Sequence, residues 1–218
     1  MNLKGIIYDF DGVVCDSVNV KTKAFAEMYK TYGEDVVSKV VDYHLQHGGI
    51  SRYEKFKYYH QTFLGIELTQ EAIMQMGNQF SEIALQKVID SAYLPGVVDF
   101  MTNSKKNCLQ FICTGTPETE ILTILNKKNL EHLFDSVYGA PKRKPEIITM
   151  LLEQYQLHRD EVVFIGDALT DYKAARETKI AFVGVKSDNT QFPEGTYVIN
   201  DFVGVDTAIL KANAVIPE

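Results

Sequence analysis

The spacing of hydrophobic and polar positions changes twice along the chain. Residues 5–8 form a short, β-branched apolar run that ends in Asp9-Phe10-Asp11-Gly12-Val13. It reads as a buried strand followed by a turn. Over 17–32, Val20, Ala24, Phe25, Met28 and Tyr29 recur at helical spacing, and Gly33 stops the helix. A second helical stretch, 35–47, halts at Gly48-Gly49. Ser51-Arg52-Tyr53-Glu54 has capping-box spacing and predicts a third helix that ends near Gly65. A fourth runs from about Thr69 to about Ser91, and no strand pattern interrupts residues 15–92. The aromatic cluster Tyr53, Phe56, Tyr58, Tyr59 and Phe63 is expected to form the core of this helical stretch. His44, His47 and His60 have no metal-ligand spacing and are expected as surface or core residues.

After Pro95-Gly96 the pattern alternates. An amphipathic segment, 97–104, precedes an apolar strand over 109–113. Thr116-Pro117 then opens a helix, with Thr116 as N-cap and Pro117 in the first turn. A short strand over 134–138 is followed by a helix opened by Lys144-Pro145. A strand over 161–165 ends in Gly166-Asp167, and a helix spans 170–178. Strands over 180–185 and 197–199 and a closing helix complete the chain. Such alternation predicts an α/β fold: a Rossmann-like parallel sheet covered on both faces. The sheet part is 1–15 together with 93–218, and 16–92 is an all-helical insertion after the first strand.

With 218 residues the chain is long enough for one α/β domain and an insertion. Hydrophobic residues at 45% and charged residues at 23% are an ordinary soluble composition, and no apolar run reaches the length of a membrane span. The sequence enters the first strand without the pattern of a signal peptide. Cys15, Cys108 and Cys113 carry no metal-ligand spacing, and the last two are expected in the core. A reduced, cytoplasmic protein is expected. The net charge of -7 argues against nucleic acid as the main partner. It also means that an anionic substrate needs local positive groups or a metal.

Four strand ends supply such groups. The first carries Asp9 and Asp11, the second Thr114-Gly115-Thr116, and the fourth Gly166-Asp167 with Asp171 four residues on. Lys142-Arg143-Lys144-Pro145 precedes a helix between them. In a parallel sheet all strand C-termini share one edge, so these residues converge. Residues i and i+2 of an extended segment point the same way, so Asp9 and Asp11 aim into one volume. Two carboxylates that close repel unless a proton or a cation relieves them, and Mg²⁺ prefers oxygen ligands. A hydroxyl, backbone N–H groups and a lysine hold phosphoryl oxygens. One carboxylate can act as nucleophile and a second as general acid and base. Together these groups form a phosphoryl-transfer site. Singly, each has a plainer reading: a turn, a solvated basic loop, or a charge at a helix start.

Asp9-Phe10-Asp11-Gly12-Val13, Thr114, Lys144-Pro145 and Gly166-Asp167-Ala168-Leu169-Thr170-Asp171 resemble the four ordered motifs of the haloacid dehalogenase (HAD) superfamily. The resemblance covers essentially the whole chain. The helical insertion is similar to the C1 cap of the phosphoglycolate phosphatase and β-phosphoglucomutase branch. The resemblance implies that Asp9 is the nucleophile and Asp11 the general acid/base. It implies Mg²⁺ held by the Asp9 side chain, the Asp11 backbone carbonyl and Asp167. Thr114 and Lys144 would bind the phosphoryl group, and Asp171 would orient Lys144 or a metal-bound water. Gly115 beside Thr114, and Ser51 and Arg52 in the stretch His47-Gly48-Gly49-Ile50-Ser51-Arg52, are the further substrate-binding candidates. The plainer alternative has Gly48-Gly49 and Ser51 as helix stop and cap, with Arg52 solvated.

The expected activity is Mg²⁺-dependent hydrolysis of a small phosphate monoester. The haloalkanoate dehalogenases of the family lack an acid at the position of Asp11. Phosphonate hydrolases of the branch use a cap lysine, with no convincing match in the His47–Arg52 loop, although Lys55 and Lys57 lie nearby. β-Phosphoglucomutases carry a histidine where this sequence has Lys21. A sugar-phosphate mutase and a non-catalytic phospho-ligand-binding protein stay open as alternatives. The expected partner is a small phosphorylated metabolite, with no nucleic acid and no membrane; the sequence sets no oligomeric state. Hinges are expected near 15–17 and 93–96.

Overall fold

A computed structural model describes residues 3–188 and 190–213; residues 1, 2, 189 and 214–218, all but one of them at the ends of the expected sheet part, lie outside the described residues. Strand β1 (Gly5–Tyr8) is at the centre of a parallel sheet with β2 (Leu109–Pro117), β3 (Ser136–Ala140), β4 (Val162–Gly166), β5 (Ala181–Val185) and β6 (Tyr197–Ile199), in the order β3-β2-β1-β4-β5-β6. Gly5 is in register with Leu109 on one side and Val162 on the other. The order reverses direction between β1 and β4, which opens a crevice at the C-terminal ends of those two strands.

Strand alternation divides the core between the two faces. Ile6 and Tyr8 join Ile112, Val163 and Ile165 on one face. Helices α5 (Val97–Ser104), α6 (Glu118–Lys127) and α9 (Val205–Asn213) cover it with residues such as Met101, Ile124 and Ile209. Ile7, Phe111 and Phe164 face the other way, under α7 (Lys144–Gln154) and α8 (Leu169–Thr178). Gln110 is the one polar side chain of the apolar strand run 109–113, and it is fully satisfied. Its Oε1 accepts from Tyr8 at 2.7 Å, and its Nε2 donates to the carbonyls of Met101 and Leu133 at 2.9 and 3.1 Å.

Helices α1 (Val18–Tyr29), α2 (Glu34–Gln46), α3 (Arg52–Tyr59) and α4 (Gln70–Ile89) pack around a separate cluster that includes Phe25, Tyr29, Val40, Phe56, Tyr59 and Phe80. Of the aromatic residues expected in this core, Phe56 and Tyr59 are buried and Phe63 packs against them, but Tyr58 lies on the surface, stacked on Tyr43 at 4.0 Å. Ser51 caps α3 as expected, but its Oγ accepts from the Tyr53 amide at 3.4 Å rather than pairing with Glu54 in a capping box, and at the start of α4 Thr69 Oγ1 accepts from Ala72 at 3.2 Å. The chain leaves and re-enters the sheet part side by side. Cys15 and Tyr93 form an antiparallel bridge, the Asp16 amide donates to Ala92 O at 2.9 Å, and Leu94 donates to Val14 O at 3.1 Å.

A further sequence expectation fails at the start of α6. Strand β2 continues through Thr116 to Pro117, so Pro117 and not Thr116 is the N-cap of α6. The Thr116 hydroxyl is drawn away from the helix by stronger charged partners, Asp11 and Lys21.

Candidate active site

Asp9 follows β1 directly, with its amide bonded to Ile165 O of β4 at 2.9 Å, so it lies on the crevice where strand order reverses. Its Oδ1 accepts from the Phe10 amide at 2.6 Å, and its Oδ2 accepts from Lys144 Nζ at 2.6 Å. Lys144 is the first residue of α7, and its ammonium also donates to Asp171 Oδ1. Asp171 sits in the first turn of α8, where its Oδ2 accepts from the Ala168 amide at 3.0 Å. One carboxylate thus caps a helix and aims the lysine. Lys142 and Arg143 stay exposed, Lys142 against Glu118 at 3.3 Å, so Lys144 is the basic residue that reaches the site.

Asp167 follows β4. Asp9, Asp167 and Asp171 each offer a carboxylate oxygen within 4.8 Å of the others, and all three are buried. Burial, and then the charges of Asp9 and Asp171, push the Asp167 carboxyl well above its usual value. Burial works against the Lys144 ammonium, but the Asp171 and Asp9 carboxylates outweigh it and hold its pKa above the ordinary lysine value. Fully ionised, the three buried carboxylates would outnumber the one ammonium, in an all-oxygen donor set. That is the environment a hard divalent cation prefers. Gly12 makes the close approach possible: its φ is +75°, and a Cβ there would lie 2.3 Å from Asp167 Oδ2.

The Asp11 carboxylate is held by different partners. Ser17 Oγ donates to Oδ1 at 2.6 Å, Thr116 Oγ1 donates to Oδ2 at 3.1 Å, and the Lys21 ammonium pairs with Oδ2. Lys21 also donates to Thr116 Oγ1 at 2.6 Å. Burial alone would raise the Asp11 carboxyl, but Lys21, Ser17 and Thr116 together hold it below its usual value. Asp11 faces the same cavity as Asp9 without joining the Asp9–Asp167–Asp171 group.

The helical block closes over these strand ends. Gly49 has φ +75°, and a Cβ there would meet Thr170 Oγ1 at 2.2 Å and Lys144 Nζ at 3.1 Å. A Cβ on Gly115 would lie 2.6 Å from Gly49 O, and Thr170 Oγ1 donates to Gly48 O at 2.6 Å. The Gly48-Gly49 turn therefore rests directly on the motif residues of β2, α7 and α8. Arg52 is buried rather than solvated. Its guanidinium forms a bidentate pair with Glu120 of α6 at 2.8 and 2.6 Å and donates to Ser81 of α4 at 2.9 Å. The cavity left between block and sheet measures about 70 Å³ and is lined by Asp9, Asp11, Thr114, Gly115, Arg52 and Lys55, among others. Ser51 lines an adjoining groove with Thr114, Gly115 and Lys144.

Sequence reasoning named the residues on the strand ends and missed those that answer them from the helices. Thr116 as an Asp11 partner and Glu120 carry no motif signal. Lys21 and Lys55 were singled out only by comparison with related branches, Lys21 at the position where β-phosphoglucomutases carry a histidine, and neither was placed against its partner.

The family model described as "Haloacid dehalogenase-like hydrolase" matches residues 6–185. A phosphorylated carbohydrates phosphatase of Thermotoga maritima is 24% identical over 184 residues, with 82% of each chain covered. A phosphoglycolate phosphatase of Vibrio cholerae is 24% identical over 182 residues, with 80% of each covered. Among solved structures, a β-phosphoglucomutase of Clostridium difficile superposes with a TM-score of 0.80 at 21% identity, over 98% of this chain and 99% of that one. No helix among the described residues is long and apolar enough to cross a membrane.

Proposed function

Because this chain belongs to the haloacid dehalogenase-like hydrolases, we propose that it is a Mg²⁺-dependent phosphatase acting on a small phosphate monoester. The observation that carries the proposal is Lys144 Nζ, held between Asp9 and Asp171 beside a cavity that Asp9, Asp11, Thr114 and Gly115 line. That arrangement puts a nucleophile, a phosphoryl-binding cation and an acid/base around one small volume.

In this reading Asp9 Oδ attacks phosphorus and the ester P–O bond breaks, leaving an aspartyl-phosphate. The departing oxygen takes its proton from Asp11, whose carboxyl rises toward protonation when the anionic phosphoryl group arrives beside it. Water then attacks phosphorus and gives its proton to Asp11, the bond between phosphorus and Asp9 Oδ breaks, and inorganic phosphate leaves with the Asp9 carboxylate restored. Thr114, the Gly115 backbone and Lys144 hold the phosphoryl oxygens. Asp9, Asp167 and the Asp11 backbone carbonyl would hold Mg²⁺. The cation would offset the charge that builds on the phosphoryl group. Asp171 positions Lys144.

The helical block, residues 16–92, serves as the cap on a core formed by 1–15 and 93–218, with hinges at 15–17 and 93–96. Arg52 and Ser51 would contact the rest of the substrate, beyond the phosphoryl group that Gly115 helps to hold. The three free cysteines fit a cytoplasmic setting. The test is phosphate release from a panel of phosphate monoesters, with and without Mg²⁺, beside Asp9→Asn. Release that requires both Mg²⁺ and Asp9 is expected. Isomerised sugar phosphate without net phosphate release would favour a mutase instead, and folded protein inert in both assays would favour a phospho-ligand-binding role.

A further inference from the structure

A second cavity, of about 320 Å³, meets the catalytic one along Gly49, Ile50, Thr114 and Gly115, which line both. It also reaches Lys144, so the groups assigned to the phosphoryl oxygens, Thr114, Gly115 and Lys144, form its inner end. That end is closed by backbone. A Cβ on Gly115 would lie 2.6 Å from Gly49 O, and one on Gly49 would lie 3.1 Å from Lys144 Nζ, so the partition is a glycine turn with no side chain of its own. The Thr170 hydroxyl holds the turn down by donating to Gly48 O at 2.6 Å. Outward, the cavity is lined by Lys142, Arg143 and Lys173, all exposed. Lys142 leans on Glu118 at 3.3 Å, and no ion pair ties Arg143 or Lys173 to a carboxylate among the described residues. With Lys144 they outnumber Glu54 and Glu177, the acids of this cavity, in a chain whose net charge is -7. A cleft with an excess of one sign draws ions of the other. The remaining join between helical block and sheet part is closed more firmly. Lys21 and Arg52 are locked to Asp11 and Glu120 across it. Lys55 is 2% exposed in the same wall, with His44 Nδ1 at 2.8 Å and no carboxylate partner among the described residues. Parting buried ion pairs costs more than parting one hydrogen bond between a hydroxyl and a carbonyl.

We infer that this second cavity is the exit for inorganic phosphate, a cationic passage distinct from the join that the Lys21–Asp11 and Arg52–Glu120 pairs close, with the Gly48-Gly49 turn as its gate and Thr170 as the catch. The inference rests on the phosphatase reading and adds a path for the product of that reaction. Phosphate held by Thr114, the Gly115 backbone and Lys144 has only the turn between it and the passage. Raising Gly49 uncovers Lys144 and hands the oxyanion on to Arg143 and Lys173, while both buried ion pairs stay made. A gate sets the height of a barrier and not the energies of the states on either side. It therefore changes association and dissociation by the same factor and leaves Kd where it was.

The test follows inorganic phosphate exchanging with the protein at equilibrium in Mg²⁺ buffer, by phosphorus NMR line shapes and exchange spectroscopy, with Kd from titration. Thr170→Val removes the catch. Association and dissociation should both quicken roughly fivefold, the scale of one hydrogen bond, with Kd within about twofold of wild type. Thr170→Ser keeps the hydroxyl and should exchange as wild type does. Arg143→Glu combined with Lys173→Glu reverses the charge of the passage and should slow association by about tenfold or more. Lys39→Glu combined with Lys57→Glu makes the same change in net charge on exposed lysines of α2 and α3 and should leave association near the wild-type rate. The inference is overturned by a Thr170→Val variant whose two rates do not rise together, by association that survives the charge reversal in the passage, by equal slowing in both double variants, or by a wild type that binds no phosphate. Ester hydrolysis, assayed on the same proteins, separates the exit from the function. Esters hydrolysed while phosphate exchange ignores these substitutions would remove the exit and leave the phosphatase. No ester hydrolysed while exchange responds as expected would remove the phosphatase and leave an oxyanion passage.

Discussion

Arg52 of α3 grips Glu120 of α6 through two parallel hydrogen bonds of 2.8 and 2.6 Å, and both side chains are buried. The pair crosses from the helical block to the sheet part, and Ser81 of α4 braces both partners. Removing one partner strands the other. Glu120→Ala should cost about 3–5 kcal/mol, and Arg52→Ala a similar amount, while the double variant should cost much less than the sum. Denaturant unfolding of the four proteins measures the coupling. Burial alone would raise the Glu120 carboxyl, but Arg52 and Ser81 outweigh it and hold it below its usual value of 4.5. The stabilisation is therefore complete above about pH 4.5 and is lost as pH falls through the lowered value. Glu120→Gln should flatten that acid limb.

Contact between the two parts at Gly49 and Gly115 is steric rather than ionic. Gly49→Ala adds a methyl group 2.2 Å from Thr170 Oγ1 at a positive φ, and Gly115→Ala adds one 2.6 Å from Gly49 O. Each should lift the Gly48-Gly49 turn off Lys144 and lower kcat/KM by about tenfold or more. The double variant should be less than multiplicatively worse, because either methyl group alone breaks the same contact. Steady-state kinetics of the four proteins decide it.

Crowding of Asp9, Asp167 and Asp171 predicts a stability response that needs no turnover. Saturating Mg²⁺ should raise the melting temperature of wild type, with about 2.7 kcal/mol of stabilisation at a hundredfold excess over Kd. Asp167→Asn removes one of the mutually repelling carboxylates. It should melt higher than wild type without metal and respond little when Mg²⁺ is added. A variant that keeps the full Mg²⁺ response would place the cation elsewhere.

Lys55 predicts the opposite of the usual penalty for a core substitution. Lys55→Met should stabilise the ligand-free protein by about 1–3 kcal/mol, since a buried, uncompensated ammonium is removed. The folded pKa of about 7 lies below the ordinary value of 10.5, so between them the unfolded chain holds a proton that the folded chain lacks. Wild-type stability therefore rises with pH across that window. The advantage of the variant should be greatest below pH 7 and shrink toward pH 10.5, as thermal melts across the range would show.

The residues legible in the sequence are those whose position the chain itself fixes. Asp9, Thr114 and Asp167 each follow or end a short apolar run, and parallel strands deliver their ends to one edge whatever lies between them. The boundaries of α1 to α4 were legible from 3.6-residue spacing, from the glycine stops at Gly33 and Gly48, and from Ser51 as a cap. Partnerships across the two parts were not. Arg52 reads equally as a substrate ligand or a solvated charge, because Glu120 sits 68 positions away with no local pattern to single it out. Thr116 has the sequence of an N-cap, and only the proximity of Lys21 and Asp11 shows why it acts otherwise. Lys55 looked like one of several helix lysines, since α3 carries no clean apolar stripe to mark its inward face.

The bridge between Cys15 and Tyr93 gives the helical block its entry and exit at one point. Topologically the block is the turn of a β-hairpin, enlarged until the turn has a hydrophobic core of its own. Its ends are already the distance apart that a short turn requires, and the Asp9–Lys144–Asp171 constellation is formed entirely by residues outside it. The helical block and the sheet edge are thus separate pieces of one chain, joined at adjacent crossings and tied across the cavity by the Lys21–Asp11 and Arg52–Glu120 pairs.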